Sequence, residues 1–407
     1  MGEATGAGER DDKVLDIMGA STYNGLVQII IHRNIGIPGG GCVELTTGKT
    51  RILIDPALPL ESPLHTGNID AIIMSGFRFG QCASLRNIDT GTHIFLSRAA
   101  REMIDISAIF DPSKSGVIKT SLIDERKSFA VGDIKLTPFT VGYSALYATA
   151  FLIEAEGKKL LYSIDPRGYD RKSVLYKKMI ERPLKEIEVL IMEGTPILSD
   201  SDTCKSEAEA QSEIEGVLEK THSITFLFTS PENIDRIVSA YKACIKTGSV
   251  FVVDIYTAYL LDRLRKILKH IPQFNWRNIR VKFSKDQADT LSEKVSSQLL
   301  YHYNSKKIDI FEINERKNKV LMLLSDSLAL PDMVKSMDGL KGAKVIFSMP
   351  ERHLTDEFTG YCRKKGLVLK HICLNGNIGD DEKKGFVRMV NPNKVIKIPD
   401  DDKTFNV

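Results

Sequence analysis

Apolar residues along this chain follow two rhythms, and the change between them falls near residue 195. In the first half, short runs rich in β-branched residues alternate with turn-forming clusters, the pattern of strands with one or both faces buried. Leu26 to Arg33, Gly41 to Thr46, Arg51 to Pro56 and Ala71 to Met74 read as strands. The glycine-rich turn Gly36-Ile37-Pro38-Gly39-Gly40-Gly41 separates the first two. Helices are predicted near Arg98 to Ser107 and Arg171 to Glu181, where apolar residues recur at helical spacing between charged flanks.

After Thr195 the rhythm becomes helix, strand, helix, strand. Glu207 to Lys220 and Ile234 to Lys246 predict helices; Ile224-Thr225-Phe226-Leu227-Phe228 and Val250-Phe251-Val252-Val253 predict short buried strands. Alternation of this kind argues for a parallel sheet covered by helices. The expected class is α/β; residues 1–13 are polar and acidic, and residues 1–20 read as a mobile leader.

Composition changes this picture little. At 407 residues the chain is long enough for two domains with sizeable cores. A hydrophobic content of 42% and a charged content of 27% describe an ordinary globular protein. No apolar stretch approaches transmembrane length, and the first residues do not form a secretory signal. Met1-Gly2 opens like a myristoylation signal, but Gly6 holds the Ser/Thr position. The six cysteines lack CxxC spacing and read as reduced thiols, so a cytoplasmic location is expected, with no membrane partner. A net charge of +3 supplies no global pull on polyanions.

The informative chemistry lies where strands end, since loops there commonly carry catalytic groups. The run Ala71 to Met74 feeds Ser75-Gly76-Phe77-Arg78-Phe79-Gly80-Gln81, which contains no histidine and no carboxylate. The histidines, at 32, 65, 93, 222, 270, 302, 353 and 371, include no two spaced two, three or four apart, so no local pair points at one ion. A hydrolytic zinc needs about three protein ligands and an open position.

The order of these segments resembles the metallo-β-lactamase fold, in particular its β-CASP, ribonuclease J-like branch, over roughly residues 25 to 400. In that family the loop after the fourth of these strands reads Ser-His-x-His-x-Asp-His and helps to hold two zinc ions. Here Gly76 and Arg78 stand at its first two histidines, Gly80 at the aspartate and Gln81 at the last histidine. The segment Thr137 to Ala145 is similar to the family's Asp-His-Ser stretch, with Gly142 and Tyr143 replacing the acid and the histidine. Leu161 to Gly168 keeps the bridging aspartate as Asp165, and Met192-Glu193-Gly194-Thr195 keeps the first acidic motif as Glu193. His371-Ile372-Cys373-Leu374-Asn375-Gly376-Asn377 stands for His-x-His-Thr-Ser-Gly-His, leaving Cys373 and Asn377 at two histidines; the last ligand histidine falls near Pro399.

The resemblance implies a four-layered αββα metallo-β-lactamase-like domain, its first part spanning 21–195, with an inserted parallel-sheet β-CASP domain over 196–370 and a return over 371–407. It implies no catalytic residue, no metal and no cofactor, and therefore a pseudoenzyme: a scaffold, regulatory subunit or RNA-binding protein. RNA, an active β-CASP relative or a second copy are the expected partners. The other reading is a metal-dependent ribonuclease or hydrolase with a non-standard site built on Asp165 and Glu193, using zinc or manganese.

Three constellations remain. A carboxylate that has lost its metal requires solvent or a substitute cation, so Arg78 is expected beside Asp165 and Glu193, unless it points to solvent and Asp165 caps a turn. The stretch Phe228 to Arg236 resembles a Ser-x-Asn-Ile-Asp-Arg segment of bacterial β-CASP proteins. Ser230, Asn233 and Arg236 are its phosphate or RNA candidates at a helix N-terminus. The same residues make an ordinary helix start, with Ser230 or Thr229 before Pro231 as cap. Finally, Arg263 to Lys285 offers Lys266, Lys269 and Arg277 with Phe274, Trp276 and Phe283 interleaved. This is either a surface that tracks phosphates and stacks bases, or a solvated helix face over buried aromatics.

Overall fold

The computed structural model describes residues 26–33, 41–56, 68–76, 91–111, 119–124, 127–140, 148–163, 184–193, 206–325, 329–373, 380–398 and 404–407. The chain opens with strands β1 (Gln28–Arg33), β2 (Gly41–Thr46), β3 (Arg51–Ile54), β4 (Ala71–Ile73) and β5 (His93–Ser97), then helix α1 (Arg98–Phe110) and β6 (Thr120–Ile123). Strands β7 (Phe129–Val131), β8 (Ile134–Thr140), β9 (Thr149–Ala155), β10 (Lys158–Ser163) and β11 (Val189–Glu193) follow. The predicted turn 36–40 and the helix at 171–181 lie outside the described residues.

A third group alternates helix and strand as the rhythm predicts: α2 (Glu207–Lys220), β12 (Thr225–Phe228), α3 (Ile234–Thr247), β13 (Val250–Asp254), α4 (Ile255–Leu264) and β14 (Ile279–Lys282). It continues through α5 (Lys285–Leu291), a π-helical turn (Ser292–Ser296), α6 (Ser297–Asn304), β15 (Lys307–Ile308), α7 (Ile310–Glu315) and β16 (Val320–Leu324). Then come α8 (Ala329–Lys335), β17 (Lys344–Phe347), α9 (Asp356–Lys364) and β18 (Val368–His371), and the chain closes with α10 (Asp380–Val390), β19 (Lys394–Ile398) and β20 (Thr404–Asn406).

Among the described residues these strands form three sheets. The first runs β20-β1-β2-β3-β4-β5-β6 and the second β19-β11-β10-β9-β8-β7, both mixed. Alternation along β3 and β4 sends Ile52, Ile54, Ala71 and Ile73 into the core shared with the second sheet, and Leu53 and Ile72 to the opposite face. That opposite face is covered by Ala99, Met103 and Ile106 of α1, and the second sheet packs against Phe386 and Val390 of α10. Helix, sheet, sheet and helix make the four layers implied by the sequence resemblance.

The third sheet runs β15-β14-β13-β16-β12-β17-β18 with every neighbouring pair parallel. Its central strands β12 and β16 are buried at every position, which is why they read as unbroken apolar runs. Helix α1 docks on it. Phe110 packs edge-on against Tyr256 at 5.1 Å, Arg263 Nη2 reaches Glu102 Oε2 at 2.5 Å, and Lys294 Nζ donates to the Ile109 carbonyl at 2.7 Å.

A parallel sheet covered by connecting helices starts each helix at the carboxyl edge of the strands and ends it at the amino edge. Acidic residues complement helix starts and basic residues helix ends, so this topology sorts charge. Glu207, Glu209, Asp235, Asp286, Glu312, Asp356 and Glu357 sit in first turns. Lys220, Lys246, Arg363 and Lys364 sit in last turns. Among the described residues no helix is long and apolar enough to cross a membrane.

Candidate functional site

The ends of β3 and β4 converge on Asp55, the residue after β3. It is 2% exposed and holds φ +51°, a conformation aspartate tolerates better than most residues. Its Oδ1 accepts from the Ser75 amide at 2.8 Å, and its Oδ2 from the Ser75 hydroxyl and from Tyr162 Oη, the latter at 2.8 Å. These donors compensate the carboxylate's burial. Ser75 is thereby fixed at the mouth of the loop, and its carbonyl accepts from the Thr149 amide at 2.6 Å. Gly76 follows, buried, where the sequence resemblance expects a histidine.

Arg78, Gly80, Gln81, Tyr143, Asp165 and Asn377 lie outside the described residues, as does the expected pairing of Arg78 with Asp165. Glu193 ends β11, with its backbone opposite Ile398 of β19. His371 ends β18, where its Nε2 lies 2.9 Å from the Met349 carbonyl and its ring 5.9 Å from that of Phe347. A carbonyl only accepts, so Nε2 carries the proton and is not free to bind a metal. Cys373, two residues on, is buried. Among the described residues no group of three His, Cys, Asp or Glu side chains is placed to hold a metal. Of the described residues at these positions, Gly76 supplies no side-chain donor atom and His371 Nε2 is engaged by a carbonyl.

The loop after β12 corrects the second expectation. The cap of α3 is Asn233, whose Oδ1 accepts from the Arg236 amide at 3.2 Å; neither Ser230 nor Thr229 caps it. The Ser230 hydroxyl instead donates to the Glu232 carboxylate, whose other oxygen accepts from Tyr256 Oη. Tyr256 Oη also lies 3.3 Å from Ser107 Oγ on α1. Burial, then the Glu232 charge, push the Tyr256 phenol far above its ordinary pKa. The Ser230 hydroxyl is therefore engaged by a carboxylate. Arg236 is 1% exposed: it pairs with Glu207 at 3.3 Å and donates to the Ser348 hydroxyl and, at 2.8 Å, to the Ile372 carbonyl. In the structure it is an interior clamp.

The third constellation divides. Phe274 is core, edge-on to Tyr303 at 4.8 Å. Phe283 is partly buried, with Lys307 Nζ 5.3 Å from its ring. Lys266, Lys269 and Arg277 are exposed, and Trp276, 36% exposed, leans on Tyr241 at 5.6 Å. All four belong to the approach to β14, on the amino edge of the third sheet. What sequence reasoning missed is the rest of that edge, because its cations come from segments far apart in the chain.

No protein-family model matches this sequence, and no curated protein matches it. A solved structure from Enterococcus faecalis V583, of a protein of unknown function, aligns at TM-score 0.70 and 14% identity over 94% of this chain and 100% of that one. At that identity the likeness shows a shared fold. The metallo-β-lactamase fold protein YhfI from Bacillus subtilis aligns over 41% of this chain and 70% of its own, with TM-score 0.32 and 14% identity. Zinc-bound PqqB from Methylobacterium extorquens aligns over 42% and 70%, with TM-score 0.30 and 14% identity. These two scores are too low to carry an argument.

Proposed function

We propose that this chain is a catalytically inactive relative of the β-CASP, ribonuclease J-like branch of the metallo-β-lactamase fold, serving in the cytoplasm as an RNA-binding scaffold or regulatory subunit. In this reading residues 196–370, which hold the third sheet, are the inserted unit, and the partner besides RNA is an active relative or a second copy. The observation that carries it is the ligand loop itself. Two of its four metal-binding positions, Gly76 and Gly80, are glycines with no donor, and a third, Arg78, brings a cation where a cation should be bound. The neighbouring Asp55, Ser75 and Tyr162 contacts tie down the root of that loop through hydrogen bonds.

The test is a nuclease assay of the purified chain on single-stranded RNA with added zinc, manganese or magnesium. No cleavage above a buffer control with any of the three is expected. Metal-dependent cleavage that disappears in Asp165→Ala would overturn the proposal in favour of a hydrolase with an altered site.

A further inference from the structure

We propose that the amino edge of the third sheet, not the strand ends facing the first two sheets, binds the phosphodiester backbone of single-stranded RNA. This deepens the RNA-binding part of the reading above and does not depend on whether the molecule hydrolyses anything. Parallel topology brings the approaches to all seven strands to this one edge. At about 4.8 Å per strand they span on the order of 30 Å, enough for several phosphates.

Hydrogen bonds knit neighbouring approaches together. Lys319 Nζ donates to the Thr247 carbonyl at 3.2 Å, Lys317 Nζ to the Asp338 carbonyl at 3.0 Å, and the Gly342 amide to the Gly366 carbonyl at 2.8 Å. These acceptors are neutral, so the bonds themselves do not neutralise the ammonium charges. Arg316, Lys341 and Lys365 extend the row as exposed cations. The acids among the described residues of this edge are Glu219, Asp262, Glu315 and Asp338, of which Asp262 lies 3.7 Å from Arg265; Glu215, just behind it, is paired with Lys246 at 2.5 Å.

Cations at helix ends have a structural origin in the helix dipole. Their field acts on a ligand nonetheless, and the opposite edge repels one. There Glu232 fills the loop after β12, and Asp254 caps α4. Lys282 and Lys285 are cations on that side, set among Asp254, Asp286 and Asp289. Single-stranded RNA is the polyanion favoured because Trp276, 36% exposed beside Arg277 on the same amino edge, offers the free part of its ring to an unstacked base.

The test measures fluorescence anisotropy of a short labelled single-stranded RNA of mixed sequence against the full chain, across a salt series. The unaltered protein should bind at low salt. The combined variant Arg316→Glu, Lys341→Glu, Lys365→Glu should bind at least about tenfold more weakly, with a salt slope reduced by about 2. A control with the same charge change on the first two sheets and α10, Lys127→Glu, Arg388→Glu, Lys397→Glu, should bind within about threefold of the unaltered protein. All six side chains are exposed, so both variants should fold, as circular dichroism would verify. Three results overturn the proposal: no RNA binding at low salt, equal weakening by the control, or capture by phosphatidylserine vesicles with none by RNA. Failure of the non-catalytic reading would appear instead as cleavage by the unaltered protein.

Discussion

Arg236 and Glu207 form an ion pair at 3.3 Å in which the side chains are 1% and 3% exposed. The pair joins the start of α2 to the start of α3, and through Ser348 and the Ile372 carbonyl it reaches the ends of β17 and β18. The Ser239 hydroxyl adds a bond to Glu207 at 2.6 Å. The chain thus enters and leaves the third sheet through one buried polar clamp.

Removing one partner of a buried pair strands the other charge. Glu207→Ala should therefore lower unfolding free energy in urea by about 3–5 kcal/mol. The double change Arg236→Met, Glu207→Leu should restore much of that loss. Equal destabilisation by single and double variants would count against the clamp.

Tyr162 Oη reaches Asp55 across the first two sheets at 2.8 Å. Tyr162→Phe leaves a buried carboxylate one donor short and should cost about 1–3 kcal/mol, read from a urea midpoint shift. RNA affinity should not change, because the amino edge of the third sheet is untouched. A variant that lost RNA binding while keeping its stability would place RNA at these strand ends instead.

Glu44, on β2, links acid stability to the first sheet. Burial raises its pKa, but hydrogen bonds from His32 at 2.8 Å and Arg51 at 2.7 Å more than offset that and hold it at about 2, against an ordinary 4.5. A carboxyl depressed in the folded state contributes stability that is complete above its unfolded value and lost as pH falls through its folded value. Unfolding free energy should fall by about 2 kcal/mol between roughly pH 5 and pH 2, and Glu44→Gln should flatten that part of the profile. An unchanged profile in Glu44→Gln would remove the assignment.

Strands and helices were legible wherever local pattern decides them. Gly41–Thr46 and Glu207–Lys220 begin and end where apolar rhythm and capping residues place them. The start of α3 was not, because Ser230, a sound cap by type, gives its hydroxyl to Glu232 and leaves the role to Asn233. Arg236 carries no local sign of burial, since its partner lies 29 residues away. The charged edge was invisible in a net charge of +3, because parallel topology separates acids and bases that alternate along the chain. By contrast, the loss of donors at Gly76 and Gly80 is written in residue type alone.

The central claim is that the fold persists without its zinc chemistry. Metal analysis of the chain, produced in zinc- and manganese-supplemented cells and purified without chelator, addresses it most directly. The account predicts zinc and manganese far below one atom per chain, unchanged in Asp165→Ala. One or two atoms per chain, lost in that variant, would contradict it.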